Sequence, residues 1–343
     1  MEITTKISHS RIILERDCRN HILDYIDVDR KILIISDEGV PYSYVEDVRR
    51  QCPQTYVHII KQGEESKSLE EVERIAQQLL KYDFTEQDLI FAIGGGVVGD
   101  LSGFVASAYR CGIPYVSLPT TTLSQIDSSI GGKTAVNLNG VKNVIGSLYH
   151  PQCVLIDLNT LKTLHPRQYY SGLVEAIKAG MIRDPQLFAI FEQHQADFDG
   201  TIPPLDLEEI IERSLIVKKE IVEEDEKETG VRKLLNFGHT IGHGIESIHH
   251  LQGYTHGESV GIGMMMILRN PDLRQRLESI LKKMNLPVSA DYEPSQLMGL
   301  IAKDKKADGD HISIVQVDVI GQAYTKEITL EELADYIQED IKL

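Results

Sequence analysis

Asp88-Leu-Ile-Phe-Ala-Ile93 continues without interruption into Gly94-Gly-Gly-Val-Val-Gly-Asp100. An apolar run of strand length therefore meets a glycine-rich turn, and a helical pattern over residues 101–109 follows it. The turn fits G-x-G-x-x-G, in the strand–turn–helix context that a dinucleotide-binding loop requires. Glycine lets a pyrophosphate approach the backbone, and the helix N-terminus offers free N–H groups. A tight turn without any ligand is the alternative.

The residues around this loop alternate between strand and helix patterns. Short apolar runs predict strands at 31–36, 55–60, 115–118 and 153–157, and a Ser-x-x-Glu capping box opens a predicted helix at 68–80. Strands separated by helices are typical of a parallel sheet covered on both faces. We therefore predict an α/β N-terminal domain with a Rossmann-like parallel sheet, spanning residues 1–160.

The acidic residue that binds a ribose in an ordinary Rossmann fingerprint lies about 20 residues after the glycines. That neighbourhood here is Leu118-Pro-Thr-Thr, which contains no acid. The available acid is Asp37, at the end of the first predicted strand. A dinucleotide bound at this loop would therefore not follow the standard Rossmann register.

From residue 161 onward the alternation stops and helical patterns dominate. Helices are predicted at 168–182, 206–226 and 330–341, and a small hairpin is predicted from 311–319 and 323–328. The 206–226 helix is strongly charged, which is typical of a solvated face. We predict a second, mainly α-helical domain over residues 161–343.

Five of the 12 histidines lie between residues 236 and 258. His239 and His243 are four apart and share one face of a helix, and His256 precedes an apolar run at 259–268 that fits a second, buried helix. Two such helices side by side could direct His239 and His256 at one centre. With a carboxylate this would form a zinc site that keeps an open position. Ordinary hydrogen-bonded histidines are the alternative.

Glu175 is the best candidate for that carboxylate, because it lies in an otherwise apolar helical segment where an acid needs a partner. Lys178, three residues later on the same face, offers a simple ion pair as the local alternative.

The composition excludes several classes of binding partner. The net charge of −17 argues against nucleic acid and against an anionic membrane. The four cysteines form no C-x-x-C pair, and no apolar run has the length of a membrane span. A cytoplasmic protein is the expectation. An anionic substrate would need local positive charge, for which Lys133 and Lys142, both in glycine-containing loops, are candidates.

Taken together, the motifs resemble the 3-dehydroquinate synthase family of the sugar-phosphate cyclase superfamily. The blocks stand in the family's order: Gly94-Gly-Gly-Val-Val-Gly-Asp, Pro119-Thr-Thr, Asp127-Ser-Ser-Ile-Gly-Gly-Lys, Lys142-Asn143, Glu175-Ala-Ile-Lys178, Arg232-Lys-Leu-Leu-Asn-Phe-Gly-His239-Thr-Ile-Gly-His243 and His256-Gly-Glu. The resemblance extends from about residue 30 to about residue 320.

The resemblance implies an enzyme of the shikimate pathway. Members of the family bind NAD and one divalent metal, usually zinc or cobalt, and convert 3-deoxy-D-arabino-heptulosonate 7-phosphate to 3-dehydroquinate and phosphate. The reaction is that of a carbon–oxygen lyase, since NAD ends unchanged. A homodimer is also expected from the resemblance, with a phosphorylated sugar acid as the small-molecule partner.

Family roles can be carried over by motif. The metal ligands match Glu175, His239 and His256. The catalytic positions match Asp127, Lys133, Lys178, Glu228 and His243, and the substrate-binding positions match Asn143, Lys218, Arg232, Asn236 and Lys306. The NAD contacts match Asp37, Gln62, Glu64, Lys67, Gly95, Gly96, Val97, Val98, Gly99, Asp100, Thr120, Thr121, Lys133, Lys142, Thr160 and Thr163. His249 and His250 are interpreted as surface residues.

One position departs from the family pattern. Where the family has Tyr-x-Arg-Gly, with an Arg that reaches the phosphate bound by the neighbouring subunit, this chain has Tyr109-Arg110-Cys111-Gly112. We predict that Arg110 is not a substitute for that Arg, because adjacent residues on a helix point about 100° apart.

Two groups of related enzymes compete with this interpretation. Other cyclases, such as 2-deoxy-scyllo-inosose and 2-epi-5-epi-valiolone synthases, act on sugar phosphates without a carboxylate, and the retained Lys218, Arg232 and Lys133 argue against them. A glycerol-dehydrogenase-like alcohol dehydrogenase would show net formation of NADH. A catalytically inactive scaffold is disfavoured by the intact set of candidate ligands.

Overall fold

The computed structural model describes residues 1–5, 8–193, 207–249, 253–302, 307–308 and 310–340. Its contacts divide the chain into two compact units, Met1–His165 and Pro166–Leu343. The predicted domain boundary between residues 160 and 161 lies shortly before this division, inside a 3-10 helix at Leu158–Thr163.

The first unit is built on a seven-stranded sheet of order β1-β2-β9-β6-β5-β3-β4. Every pair is parallel except β1 with β2. The strands are β1 (Glu2–Thr4), β2 (His9–Leu14), β3 (Lys31–Asp37), β4 (Gln54–Ile60), β5 (Leu89–Gly94), β6 (Tyr115–Pro119), β7 (Lys133–Leu138), β8 (Val141–Leu148) and β9 (Cys153–Ile156), with β7 and β8 forming a separate antiparallel hairpin. The helices are α1 (Tyr42–Arg49), α2 (Leu69–Lys81) and α3 (Gly96–Ala108).

The central strands are buried on both faces. In β3, Ile32 and Ile34 face one apolar cluster, whereas Leu33 and Ile35 face the other. Because both faces are covered, such strands are nearly continuous apolar runs rather than alternating ones. The strands predicted at 31–36, 55–60, 88–93, 115–118 and 153–157 are all present within a residue or two, and the predicted Rossmann-like parallel sheet is confirmed.

The helix after the glycine loop begins earlier than predicted. It starts at Gly96 rather than at residue 101, with Gly95 as its N-cap, so the glycines form its first turn. It ends at Ala108, because Arg110 and Cys111 take left-handed conformations, with φ of 50° and 63°. The helical geometry assumed for Arg110 is therefore wrong. Its Nε instead donates a hydrogen bond of 2.9 Å to the carbonyl of Phe84.

Only half of the predicted capping box at α2 is used for capping. The Ser68 hydroxyl accepts from the backbone N–H of Glu71. The Glu71 carboxylate instead contacts His58, at 2.7 Å, and Arg74, at 3.0 Å.

The second unit is mainly α-helical, as predicted. Its helices are α4 (Pro166–Ile182), α5 (Pro185–Gln193), α6 (Leu207–Glu224), α7 (His239–Ile248), α8 (His256–Ile267), α9 (Pro271–Lys283), α10 (Pro294–Ile301) and α11 (Leu330–Asp340). The strands β10 (Ala307–Asp308), β11 (His311–Val317) and β12 (Ala323–Thr329) form a small antiparallel sheet that contains the predicted hairpin. Among the described residues, no helix is both long and apolar enough to cross a membrane. The charged helix α6 is not simply solvated, since it also buries Ile210, Leu215 and Lys218.

Glycines bring α4, α7 and α8 into backbone contact. A Cβ atom on Gly263 of α8 would lie 2.0 Å from the carbonyl oxygen of Gly238, which precedes α7. A Cβ on Gly257 would lie 1.8 Å from the carbonyl oxygen of Ser171 in α4. Only glycine permits these approaches, and the first residues of α7 and α8 are thereby placed beside α4.

Candidate metal centre and dinucleotide loop

Three side chains converge where α4, α7 and α8 meet. Glu175 of α4 is 1% exposed. Its Oε1 lies 3.3 Å from Nε2 of His256 and 3.6 Å from Nε2 of His239, each of which is the first residue of its helix. These three ligand atoms lie within 4.8 Å of one another. Two imidazoles and one carboxylate with a further position open form the donor set of a catalytic zinc site.

The second ring nitrogen of each histidine is also engaged. Nδ1 of His239 lies 3.1 Å from the carbonyl oxygen of Phe237, and Nδ1 of His256 lies 3.5 Å from Oε1 of the buried Glu246. Such contacts fix the tautomer that leaves Nε2 free to bind a metal. Sequence reasoning missed Glu246, although its position three residues after His243 on the same helix could have indicated it.

Glu246 also belongs to a second possible ligand group, with His243 and His256. His256 is common to both groups. The contacts assign its Nε2 to the Glu175 side and its Nδ1 to the Glu246 side. Glu246 therefore contacts the His256 ring on the side opposite Glu175, where it can orient that ring for the first ligand group.

Glu175 forms an ion pair with Lys178 and also faces both histidines. The ammonium of Lys178 contacts Oε2, whereas both imidazoles face Oε1. Burial acts to raise the pKa of Glu175, but attraction to Lys178 and the hydrogen bond from His256 outweigh it and lower that pKa. The carboxylate is thus held ionised, as a metal ligand must be.

The N-terminus of α8 is fixed by a capping box and an ion pair. Thr255 and Glu258 form a capping box. Arg167 binds both carboxylate oxygens of Glu258, at 2.7 Å each. This arrangement orients His256 at the start of its helix.

The remaining predicted residues of this unit lie on elements that pack together. The rings of His239, His243 and His256 form a triangle, with centroids 5.3 to 5.9 Å apart. Arg232 is 2% exposed and donates to the carbonyl oxygen of Glu226. Nδ2 of Asn236 donates to Glu228.

Three cations of this unit, Lys178, Lys218 and Arg232, are at most 7% exposed. The helices α4 and α6, and the 3-10 helix Val231–Asn236 that carries Arg232, pack against one another. Buried cations require anionic partners.

Three predicted positions of this unit need separate comment. Lys306 and His250 lie outside the described residues. His249 is half-buried, and its Nε2 lies 2.9 Å from the carbonyl oxygen of Asp291 in an exposed contact.

In the first unit, the predicted cofactor positions surround the carboxyl ends of the parallel strands. The first turn of α3 presents the N–H groups of Gly96, Val97 and Val98, which have no partner within a helix. Val98 can offer only its backbone, because its side chain is fully buried and packs against Gly94. Asp37 ends β3, and burial raises the pKa of its carboxyl group, against the hydrogen bonds from the N–H groups of Gly39 and Val40.

The other predicted NAD-contacting residues differ in how far their side chains are buried. Gln62 covers Gly39, where a Cβ would lie 2.4 Å from its amide nitrogen. Lys67 is 4% exposed and binds both Asp100 and Asn143. Thr160, by contrast, faces inward and is 1% exposed, with its hydroxyl between Gln125 and the carbonyl of Asp157.

The other predicted residues of this unit are spread over its loops and the hairpin. Asp127 lies in a π-helical turn at Ser124–Ser128, Lys133 is exposed at the start of β7, and Lys142 lies in β8. Thr120 and Thr121 directly follow β6. Thr163 lies 2.9 Å from the hydroxyl of Tyr44.

Family models and curated relatives match most of the chain. A family model described as the 3-dehydroquinate synthase N-terminal region matches residues 57–171, and one for the C-terminal region matches residues 172–307. The 3-dehydroquinate synthase of Dictyoglomus turgidum is 39% identical in an alignment of 337 residues that covers 93% of this chain and 93% of that one.

Solved structures share the fold. A 2-deoxy-scyllo-inosose synthase complexed with carbaglucose-6-phosphate, NAD⁺ and Co²⁺ superposes with a TM-score of 0.85 at 24% identity, over 99% of both chains. The 2-epi-5-epi-valiolone synthase of Streptomyces hygroscopicus, with NAD⁺ and Zn²⁺ bound, has a TM-score of 0.87 at 24% identity, over 99% of this chain and 98% of that one. Both family models and the identity across nearly the full length lead to one conclusion: the chain belongs to the 3-dehydroquinate synthase family.

Proposed function

We propose that the chain is a carbon–oxygen lyase that converts 3-deoxy-D-arabino-heptulosonate 7-phosphate to 3-dehydroquinate and phosphate. The observation that carries this proposal is the convergence of Glu175, His239 and His256 in a chain of this family. Each ligand comes from a different helix, and each is held by a second contact, to Lys178, Phe237 and Glu246 respectively. Such preorganisation is what a catalytic metal site requires.

Glu175, His239 and His256 would hold one zinc or cobalt ion. When bound, such an ion polarises an alcohol of the substrate and lowers its pKa. The residues fit this role, because one carboxylate oxygen and two Nε2 atoms face a common point while Lys178 contacts the other carboxylate oxygen.

The first turn of α3, with Asp37, Glu64, Lys67 and Asp100, would hold NAD. When bound, NAD accepts a hydride from the substrate and later returns it, so no net oxidoreduction occurs. The start of α3 has a geometry that suits NAD. Gly95 and Gly96 leave the helix N-terminus uncovered by side chains of their own, which suits a pyrophosphate.

The remaining residues would bind the substrate and move protons. By the family resemblance, Lys218 and Arg232 would bind the carboxylate of the substrate, and Asn236 and His243 would bind its phosphate. This local positive charge would allow a protein with a net charge of −17 to bind an anion. His243 adjoins both imidazoles of the ligand set without being needed as a ligand, so it suits a proton relay. A buried Arg and Lys favour a substrate with a carboxylate over one without.

Phosphate release from the heptulosonate phosphate tests the proposal, with and without a metal chelator, while absorbance of NADH is followed. We expect release that stops with chelator and recovers with zinc or cobalt, and no steady accumulation of NADH. A sugar phosphate without the carboxylate serves as the control substrate and should release little phosphate. Release that ignores the chelator, or continuous NADH formation, would overturn the assignment.

Cytoplasmic location and a homodimeric state belong to the same proposal, and both stay predictions. Light scattering of the purified protein tests the second. A mass near the 38.6 kDa of one chain would contradict it.

A further inference from the structure

Asn137 joins three loops of the first unit, and no role has been assigned to it so far. It lies in β7, where the register with β8 shifts between Val136 and Leu138. Such a bulge redirects a side chain out of the regular alternation. Asn137 also forms a single parallel bridge with Ser68, and its backbone N–H donates to the carbonyl of Lys67 at 2.8 Å.

The side-chain amide of Asn137 makes two different bonds. Nδ2 donates to the Glu64 carboxylate at 2.9 Å, and Oδ1 accepts from the backbone N–H of Asn143, also at 2.9 Å. A carboxylate can only accept and an N–H can only donate, so this amide orientation alone satisfies both partners. An aspartate at this position, which has nearly the same shape, would supply acceptors only.

The bond to Asn143 supports an unusual backbone conformation. Asn143 has φ of 52°, in the left-handed region. Its side-chain Oδ1 accepts from Nζ of Lys67, which also binds Asp100 at 2.5 Å. The Nζ of Lys67 lies 4.0 Å from the Glu64 carboxylate. Glu64, Asn137, Asn143 and Lys67 therefore form a closed ring of polar contacts.

We propose that Asn137 is a positioning residue that couples the NAD-binding loop at Glu64 and Lys67 to the substrate-binding Asn143. This inference rests on the proposed function, because the residues on both sides of Asn137 owe their roles to it. Asn137 acts through its neighbours, holding the Glu64 carboxylate with one atom of its amide and the Asn143 backbone with the other.

The two bonds can be separated by substitution. Asn137→Asp keeps an oxygen that accepts from Asn143 but sets a carboxylate against that of Glu64. We expect the Kd for NAD to rise by about tenfold, as for loss of a hydrogen bond to a charged group, with KM for the heptulosonate phosphate at saturating NAD nearly unchanged. Asn137→Ala loses both bonds, and we expect both constants to rise.

A charge swap gives the decisive test. In Glu64→Gln/Asn137→Asp, the amide of residue 64 can donate to the carboxylate of residue 137, which restores the bond with donor and acceptor exchanged. We expect its Kd for NAD, measured by calorimetry, to lie within about threefold of that of Glu64→Gln alone, while Asn137→Asp in the native background stays weak.

Ser147→Ala is the matched control, since Ser147 makes side-chain hydrogen bonds with Thr134 and Ser107 in the same hairpin region, away from the ring of contacts. It should leave the Kd for NAD unchanged. An equal rise in Ser147→Ala and Asn137→Ala would overturn the positioning role, as would an unimproved double variant. If the unaltered protein binds no NAD, the proposed function itself fails, and the inference fails with it.

Discussion

The start of α3 and the starts of α7 and α8 build their candidate sites in opposite ways. At α3 the backbone supplies the binding groups, and the side chains withdraw: Val98 points into the core. At α7 and α8 the side chains of His239 and His256 would be the binding groups, and the backbone places them at the first residue of each helix.

Both regions need glycine, but with different tolerances. A Cβ on Gly96 would meet Oγ of Ser128 at 3.3 Å, which a side chain can relieve. Cβ atoms on Gly257 and Gly263 would meet carbonyl oxygens at 1.8 and 2.0 Å, which cannot be relieved without moving a helix. We therefore expect the second region to be much less tolerant of substitution than the first.

The largest effect is expected for Glu175→Gln. It removes the buried negative charge that faces Lys178, and we expect a loss of about 3–5 kcal/mol in the free energy of unfolding of the metal-free protein, together with loss of zinc binding. Urea denaturation and a zinc competition titration measure the two. The double variant Glu175→Gln/Lys178→Met should recover most of the stability without recovering zinc binding. A single variant as stable as the native protein would contradict the structural importance of the pair.

Gly257→Ala should come next. The added methyl group would separate α8 from α4, so we expect a cost of about 1–3 kcal/mol and weaker zinc binding, measured by thermal unfolding and competition titration. Gly299→Ala in α10 is its control, since a Cβ there meets no atom within 4 Å. The control should be stabilised by about 0.5–1 kcal/mol. An equal change in stability for both variants would show that the close contact of α8 with α4 does not require glycine at position 257.

Glu246→Gln tests whether the histidine ligands depend on support from behind the ring. The amide is close in size to the carboxylate but attracts the N–H of His256 less strongly, so we expect zinc affinity to fall by about 10- to 100-fold. The melting temperature of the metal-free protein should change little by comparison. Unaltered zinc affinity would show that the contact between His256 and Glu246 has no part in metal binding.

Gly96→Ala addresses the α3 region. We expect a destabilisation of at most about 1 kcal/mol and a clear rise in the Kd for NAD, because the added methyl group lies in the first helical turn, where the proposed pyrophosphate would approach the backbone N–H groups. Gly96→Ala/Ser128→Ala should restore stability without restoring NAD binding. Recovery of both in the double variant would mean that this glycine serves packing alone.

The smallest effect is expected for Asp225→Asn, on the stability of the fold at low pH. Burial acts to raise the pKa of Asp225, but bonds from the N–H groups of Gly230, Thr229 and Arg232 outweigh it and lower the pKa. A lowered pKa stabilises the fold at neutral pH, and that contribution disappears as the pH falls through it. Asp225→Asn should thus be slightly less stable at neutral pH and lose less stability on acidification. A parallel acid profile for both proteins would contradict this.

The sequence predicts most of the first unit because buried parallel strands are nearly continuous apolar runs, as at 31–36 and 88–93. It places the start of α3 too late because glycine has low helix propensity. In this loop, however, glycines form the first helical turn, since the strand-to-helix connection is closely packed. Local preference is overridden there by tertiary contacts.

The candidate metal site was less predictable from the sequence than the sheet of the first unit. Histidine spacing suggests a shared face for His239 and His243, but which side chains converge depends on how α4, α7 and α8 pack, and no local pattern reports that. Glu246 and Asn137 escaped notice because their importance lies in the partner atoms that the fold brings to them. Residues that act through neighbours have no sequence signature of their own.

The pairing of Lys178 with one oxygen of Glu175 has a consequence for metal exchange. In small zinc domains the ion is the main source of folding energy, so its removal unfolds the chain. Here an ammonium group of the protein itself balances the buried carboxylate whenever the ion leaves. We therefore expect the metal-free protein to stay folded and to be able to bind a divalent ion again.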